Sequence, residues 1–240
     1  MKKCGTDVNI LGICSGLATG AERVQRQNEV GNIKAVTAEV TAGARADADK
    51  IERLFIYVRD EIAFNWVYPQ DLPPEEVLKK GCGVCMQKAH LFSAMVRVAG
   101  FQTRFRFEYV RKQALEDFLP SYAYKRWMDP FPHTVAEILY QGEWRSFDPS
   151  FDRDLYERCL DKKLNFARYP HLVDTYQPTF SISGMKGIQE CWAVPEKGAF
   201  YGDTLAPLSE WEKQNVPFFK RVMRPLIFGQ ARSIMDRLRG

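Results

Sequence analysis

No stretch of this sequence reaches the run of about 18 apolar residues that a membrane-spanning helix needs. Stable membrane insertion is therefore not expected. A strong charge of one sign is also missing: 34 Lys+Arg against 30 Asp+Glu leave a formal net charge of +4. No basic stretch interleaved with aromatics occurs, so no nucleic-acid partner is expected. Internal repeats and low-complexity tracts are absent. The 45% of hydrophobic and 27% of charged residues are ordinary for a folded domain. Cysteine is sparse, with six residues at positions 4, 14, 82, 85, 159 and 191. That density reads as reduced thiols and a cytoplasmic setting, not as a disulfide framework. Export or lipidation is the lesser alternative. Met1-Lys2-Lys3 and the stretch Val8 to Ala21 faintly resemble a secretory signal, but Asp7, Asn9 and several glycines interrupt it.

What is present is patterned from about residue 46 onward. We expect an N-terminal arm over 1–45, a catalytic core over 46–152 and a C-terminal extension over 153–240 packed on that core. Ile51, Leu54, Phe55, Val58 and Ile62 recur at helical spacing, with Asp47 or Asp49 as the cap. The aromatic run Phe64 to Tyr68 reads as a strand or an ordered loop. A short helix opens near Pro73-Pro74 and stops at Gly81. From Cys85, two adjoining apolar stripes that include Ala89, Phe92, Met95 and Val96 with Val98 and Ala99 predict a buried central helix ending at Gly100. Thr103 to Tyr109 alternates as a half-exposed strand. Residues 111–131 read as an irregular connection. Residues 133–140 and 143–148 read as a hairpin around the turn Gln141-Gly142. Leu205 to Phe219 and Lys220 to Leu238 look helical, with breaks at Pro217 and Pro225.

The chemistry concentrates in three places. Cys85 opens the buried helix, so its sulfur sits in the field of unpaired backbone N–H groups. Gly83 permits close approach of a substrate, and the Cys85 N–H is an oxyanion-donor candidate. With a two-residue turn, Tyr140 faces Glu143 and Val135 faces Asp148. His133 and Asp148 then share one sheet face as diagonal neighbours. A carboxylate there can hold the imidazole in one tautomer, as a nucleophile–base–orienter triad requires.

These residues carry a resemblance. Gly83-Val84-Cys85 with Ala89-His90-Leu91 and Met95 to Phe101, then His133-Thr134-Val135-Ala136-Glu137-Ile138 with Gly142-Glu143-Trp144, then Phe147-Asp148-Pro149-Ser150, resemble in order and spacing the transglutaminase-like superfamily. The resemblance implies an α+β, papain-like core: a central nucleophile helix packed on an antiparallel sheet, here followed by a helical C-terminal extension. It also implies catalysis by Cys85, His133 and Asp148, a thioester on Cys85, no metal and no cofactor. Relatives often place a side-chain oxyanion donor upstream of the cysteine, a role open to Asn65 or Trp66. Val135 stands where relatives commonly carry an aromatic. Tyr68 and Trp127, with Trp66, Tyr122, Tyr124 and Phe131, are candidates to line a cleft; core packing is the equal alternative. The expected function is cleavage or transfer of an acyl group from a peptide, protein or small amide. The alternative is a non-catalytic peptide- or protein-binding module.

Blander readings cover the rest. Cys82 and Cys85 form a lone Cys-x-x-Cys with no second ligand pair for zinc. Cys82 is expected to be a structural thiol or an oxidation partner, and Cys4, Cys14, Cys159 and Cys191 plain thiols. His90 and His171 are expected to be packing or surface histidines. The basic residues from Lys220 to Arg239 are expected on a solvated helix face.

Overall fold

The computed structural model describes residues 32–162, 164, 181–184, 192–217, 221 and 223–240. Cys4, Cys14, Cys191, His171 and Lys220 lie outside the described residues.

Two helices precede the core strand: α1 (Ile33–Val40) and α2 (Asp47–Ile56). Asn32 caps α1, its side chain accepting the Ala35 N–H at 3.2 Å. Ile33 and Thr37 are buried where α1 packs on the helix that begins at Cys85. The polar stretch before residue 46 therefore contributes a structured element to the core. The α2 cap is Ala46, not an aspartate; Asp47 and Asp49 sit inside the first turn, where negative charge suits the helix dipole. After α2 the chain runs through one π-helical turn, Tyr57–Glu61.

The short strand β1 (Ala63–Phe64) pairs in parallel with β2 (Cys82–Gly83), and α3 (Pro74–Lys80) lies between them. Gly81 ends α3 in the left-handed region, at φ 61°, where glycine escapes the Cβ clash. Helix α4 (Cys85–Val98) follows at once. Nine of its residues are buried, including Ala89, Leu91, Phe92, Met95 and Val96. Val98 departs from the expected apolar stripe and is exposed.

Strand β3 (Thr103–Val110) alternates as expected, with Thr103, Phe105 and Phe107 buried. The connection after it is not wholly irregular: it holds a 3₁₀ turn at Lys112–Leu115 and helix α5 (Ser121–Arg126). Strand β4 (Phe131–Tyr140) and strand β5 (Glu143–Phe147) form the hairpin. Gln141 and Gly142 both have positive φ, 51° and 83°, the geometry of a two-residue turn matched to strand twist. Helix α6 (Arg153–Asp161) comes next. Strand β6 (Ala199–Gly202), which the sequence pattern did not reveal, pairs with β3 and closes an antiparallel sheet of order β5-β4-β3-β6. Helices α7 (Ala206–Asn215) and α8 (Arg224–Arg239) complete the described chain. Helix α7 stops before Pro217, and Pro225 sits in the first turn of α8, where a missing N–H is harmless.

The core lies where α4 meets the sheet and α2. Phe92 of α4 meets Phe55 at 5.8 Å and Phe147 at 5.9 Å between ring centroids. The fold is α+β, a central helix on an antiparallel sheet with a helical C-terminal region.

Two expectations need correction. Cys82 is disulfide-bonded and not a thiol; its partner lies outside the described residues. Such bonds persist in oxidising compartments, so Cys82 does not support the reduced setting read from cysteine density. The C-terminal basic residues do not all line a solvated face either. Arg224 pairs with Glu212, and Arg239 is buried against Asp152.

Candidate active site

Cys85 is the first residue of α4, so its backbone N–H has no carbonyl partner within the helix. The turn before it is held by Gln87. Its Oε1 accepts the Val84 N–H at 2.9 Å, and its Nε2 donates to the Pro69 carbonyl at 2.9 Å. Gly83 makes this possible: a Cβ there would lie 3.0 Å from the Gln87 Cβ. The space that Gly83 leaves is thus filled by Gln87, and Gly83 does not line the cleft.

The hairpin delivers the other two groups in the expected register. Tyr140 faces Glu143 and Ala136 faces Phe147, and Asp148, the residue just past β5, lies beside His133. Nε2 of His133 lies 2.8 Å from Oδ2 of Asp148, and both side chains are almost fully buried. His133 and Cys85 line the same pocket, and Cys85 acts on the His133 charge; with Nε2 on Asp148, Nδ1 is the nitrogen left for the sulfur. The three residue types therefore meet in one row.

Burial alone would push the His133 pKa down; the Asp148 carboxylate and then Cys85 outweigh it and raise it well above the ordinary 6.5. Burial alone would push Asp148 up. The His133 charge, with hydrogen bonds from His133 and Ser150, holds it below the usual carboxylate range. Ser150 is a partner that the sequence reading missed. Its backbone N–H donates to Asp148 Oδ1 at 3.0 Å, and its hydroxyl donates to the same oxygen. The signal was present as Asp-Pro-Ser, since an aspartate often accepts from the backbone two residues on.

A second buried network lies behind the row. Lys88 is fully buried one turn after Cys85 and donates to the Arg59 carbonyl at 3.0 Å. Desolvation lowers its pKa to about 7. Asp152 accepts from the Phe64 N–H at 2.6 Å and is clasped by Arg239 at 2.6 and 2.9 Å. Arg239 also donates to the Phe64 carbonyl at 3.1 Å. The far end of α8 thereby fixes the β1 residue that leads into the cleft wall.

Cys85 and His133 open into a pocket walled by Phe64, Trp66, Trp127, Phe131 and Phe151, with Leu208, Glu212 and Arg224 contributed by the C-terminal segment. Trp66 is 5% exposed, meets Trp127 at 6.0 Å and Phe228 at 4.9 Å, and its indole nitrogen has no hydrogen-bond partner among the described residues. Asn65 does not join it. Its amide donates to Asp236 at 3.0 Å, its carbonyl accepts the Trp66 backbone N–H at 2.8 Å, and it does not line the pocket. Tyr68 is 50% exposed, with its ring on Phe228, and also lies off the pocket. Of the expected cleft residues, the structure brings Trp127 to Cys85 and leaves Gly83 and Tyr68 aside. His90 packs edge-on against Phe105 at 5.8 Å, away from the row.

Residues 34–149 match the family model of the transglutaminase-like superfamily. This segment is similar to that superfamily. It spans α1 to the residue after Asp148, and so contains the whole Cys-His-Asp row. Among solved structures, a candidate cysteine protease from Cytophaga hutchinsonii is similar at 15% identity and a TM-score of 0.38, covering 55% of this chain and 43% of that one. The chain thus spans less than half the length of that structure. No curated protein matches the chain. Among the described residues, no helix of the chain is long and apolar enough to cross a membrane.

Proposed function

We propose that this protein is a cysteine-nucleophile acyl-transfer enzyme acting on amides of peptides, proteins or small molecules. The observation that carries the reading is His133, bonded to Asp148 at 2.8 Å and lining one pocket together with Cys85.

His133 takes the Cys85 proton and holds it as imidazolium, stabilised by Asp148. The thiolate attacks the amide carbonyl carbon, and the carbonyl oxygen becomes an oxyanion. The Cys85 backbone N–H and the unpartnered indole N–H of Trp66 are the donors nearest in role to that charge. His133 then gives its proton to the leaving amine, the C–N bond breaks and a thioester remains on Cys85. Water attacks the thioester with His133 as base, which releases a carboxylic acid and restores the thiol. A primary amine in place of water would give a new amide. We favour hydrolysis, because nothing among the described residues of the pocket marks a dedicated amine site.

The test is selective labelling followed by trapping. Burial pushes the Cys159 thiol up to about 12, so it should be silent to iodoacetamide at neutral pH. Cys85 should be modified rapidly there, Cys85→Ala should remove the label, and His133→Ala should slow it. Mass spectrometry of protein incubated with a mixed peptide amide pool should then find an acyl adduct on Cys85. Equal, slow labelling of Cys85 and Cys159 would sink the proposal.

A further inference from the structure

The pocket beside Cys85 is not finished by the family-matched segment. Its walls there are Phe64, Trp66, Trp127 and Phe131, all apolar rings. Residues well beyond position 149 close the rest: Leu208 from α7, Glu212 one turn later, and Arg224 at the start of α8. The two charges answer each other. Arg224 meets Glu212 in a two-point contact, Nη1 to Oε2 at 2.9 Å and Nη2 to Oε1 at 3.0 Å, and Nη1 also donates to the Gln70 amide oxygen. Their side chains are only 14% and 21% exposed.

A paired charge of this kind offers little to a charged ligand. A ligand carboxylate would have to break a two-point, half-dry contact to reach Arg224. A ligand cation would meet the His133 imidazolium and Arg224, with Glu212 already engaged. An apolar group meets rings, Met86, Leu115, Met128 and Leu208. Three polar groups in the wall remain open: the indole nitrogens of Trp66 and Trp127 and the hydroxyl of Thr134, all buried and without a partner among the described residues. Such a group has given up water without gaining a partner. The carbonyl and amide groups of a bound peptide backbone would pair them.

We infer that the pocket selects an uncharged acyl donor, a peptide unit whose apolar side chain adjoins the scissile carbonyl. Leu208 and the Glu212–Arg224 pair of the C-terminal segment are the residues that set this selection. The inference rests on Cys85 being the acyl-accepting nucleophile.

The test uses the full chain and acyl-amino-acid chloromethyl ketones that carry Phe, Leu, Gly, Glu or Lys side chains. In each, the Cys85 sulfur forms a C–S bond and chloride leaves. Rates of Cys85 modification are read by mass spectrometry and divided by the rate with iodoacetamide, which has no side chain. The Phe and Leu probes should label at least about tenfold faster than the Glu and Lys probes. Leu208→Ala should shrink that advantage. Glu212→Gln should free Arg224 and raise the rate of the Glu probe alone. If all five probes fall within about twofold, or a charged probe is fastest, while iodoacetamide still singles out Cys85, the selection is wrong and the nucleophile stands. If iodoacetamide does not single out Cys85, both fall. The wild-type panel decides the matter even if a variant folds poorly.

Discussion

Asp148 shows how much one buried carboxylate does. It accepts from Ser150 twice and from His133 once, and it is the largest influence raising the His133 pKa against burial. Asp148→Asn keeps the shape and removes the charge. Acyl transfer should fall on the order of 10⁴-fold, as expected when a base loses its orienting carboxylate. The His133 titration, followed by NMR, should move down by more than about one unit towards or below the ordinary value. An unmoved titration would mean that Asp148 does not hold the imidazolium. At this scale the sequence made the placement of Cys85, His133 and Asp148 legible, because each stands in a local pattern, whereas Trp127 lay in an irregular connection with core packing an equal alternative. It was silent on Gln87, Lys88 and Arg239, whose roles depend on partners distant in the chain or hidden in the fold. Gly83 was misread for a physical reason: a glycine next to a nucleophile signals close approach, but of Gln87 and not of substrate.

Among the elements, α4 and the β4–β5 hairpin were the most readable. Both are bounded by positive-φ residues, Gly100 after α4 and Gln141-Gly142 at the hairpin turn, and such stops are written in the sequence. Strand β6 was invisible because four residues at a sheet edge leave too short an alternation to count. The Cys85 helix is held to the sheet by the Phe55–Phe92–Phe147 cluster, in which every ring is at most 1% exposed. Phe92→Ala should lower unfolding stability by about 3–5 kcal/mol, measured by denaturant titration. Cys85 and Phe92 share one helix, so the same change should also slow Cys85 labelling. A loss below about 1 kcal/mol would mean that the cluster repacks around the gap.

On the scale of the molecule, the charged clasp between Arg239 and Asp152 joins the C-terminal helix to the strand that leads into the active-site wall. Burial alone would raise the Asp152 pKa; the Arg239 charge and bonds hold it below its ordinary 3.8. A depressed carboxylate contributes stability above its unfolded pKa and loses it as pH falls through the folded value. Arg239→Met leaves the buried carboxylate unpaired and should lower stability by about 3–5 kcal/mol at neutral pH. The gap between wild type and variant should narrow as Asp152 is protonated below about pH 4. Thermal melts over a pH series would show it, and a gap independent of pH would remove the clasp from the account.

The hairpin carries a lesson about tolerance. The distance from imidazole to carboxylate is a matter of counting: eight residues back from Gln141 on one strand, six forward from Gly142 on the other. Swapping residues at the tip should therefore be harmless to the pair. Lengthening one arm by a single residue would turn one partner to the opposite side of the sheet. The hairpin behaves as a ruler, indifferent to what is written on it and intolerant of a shifted mark.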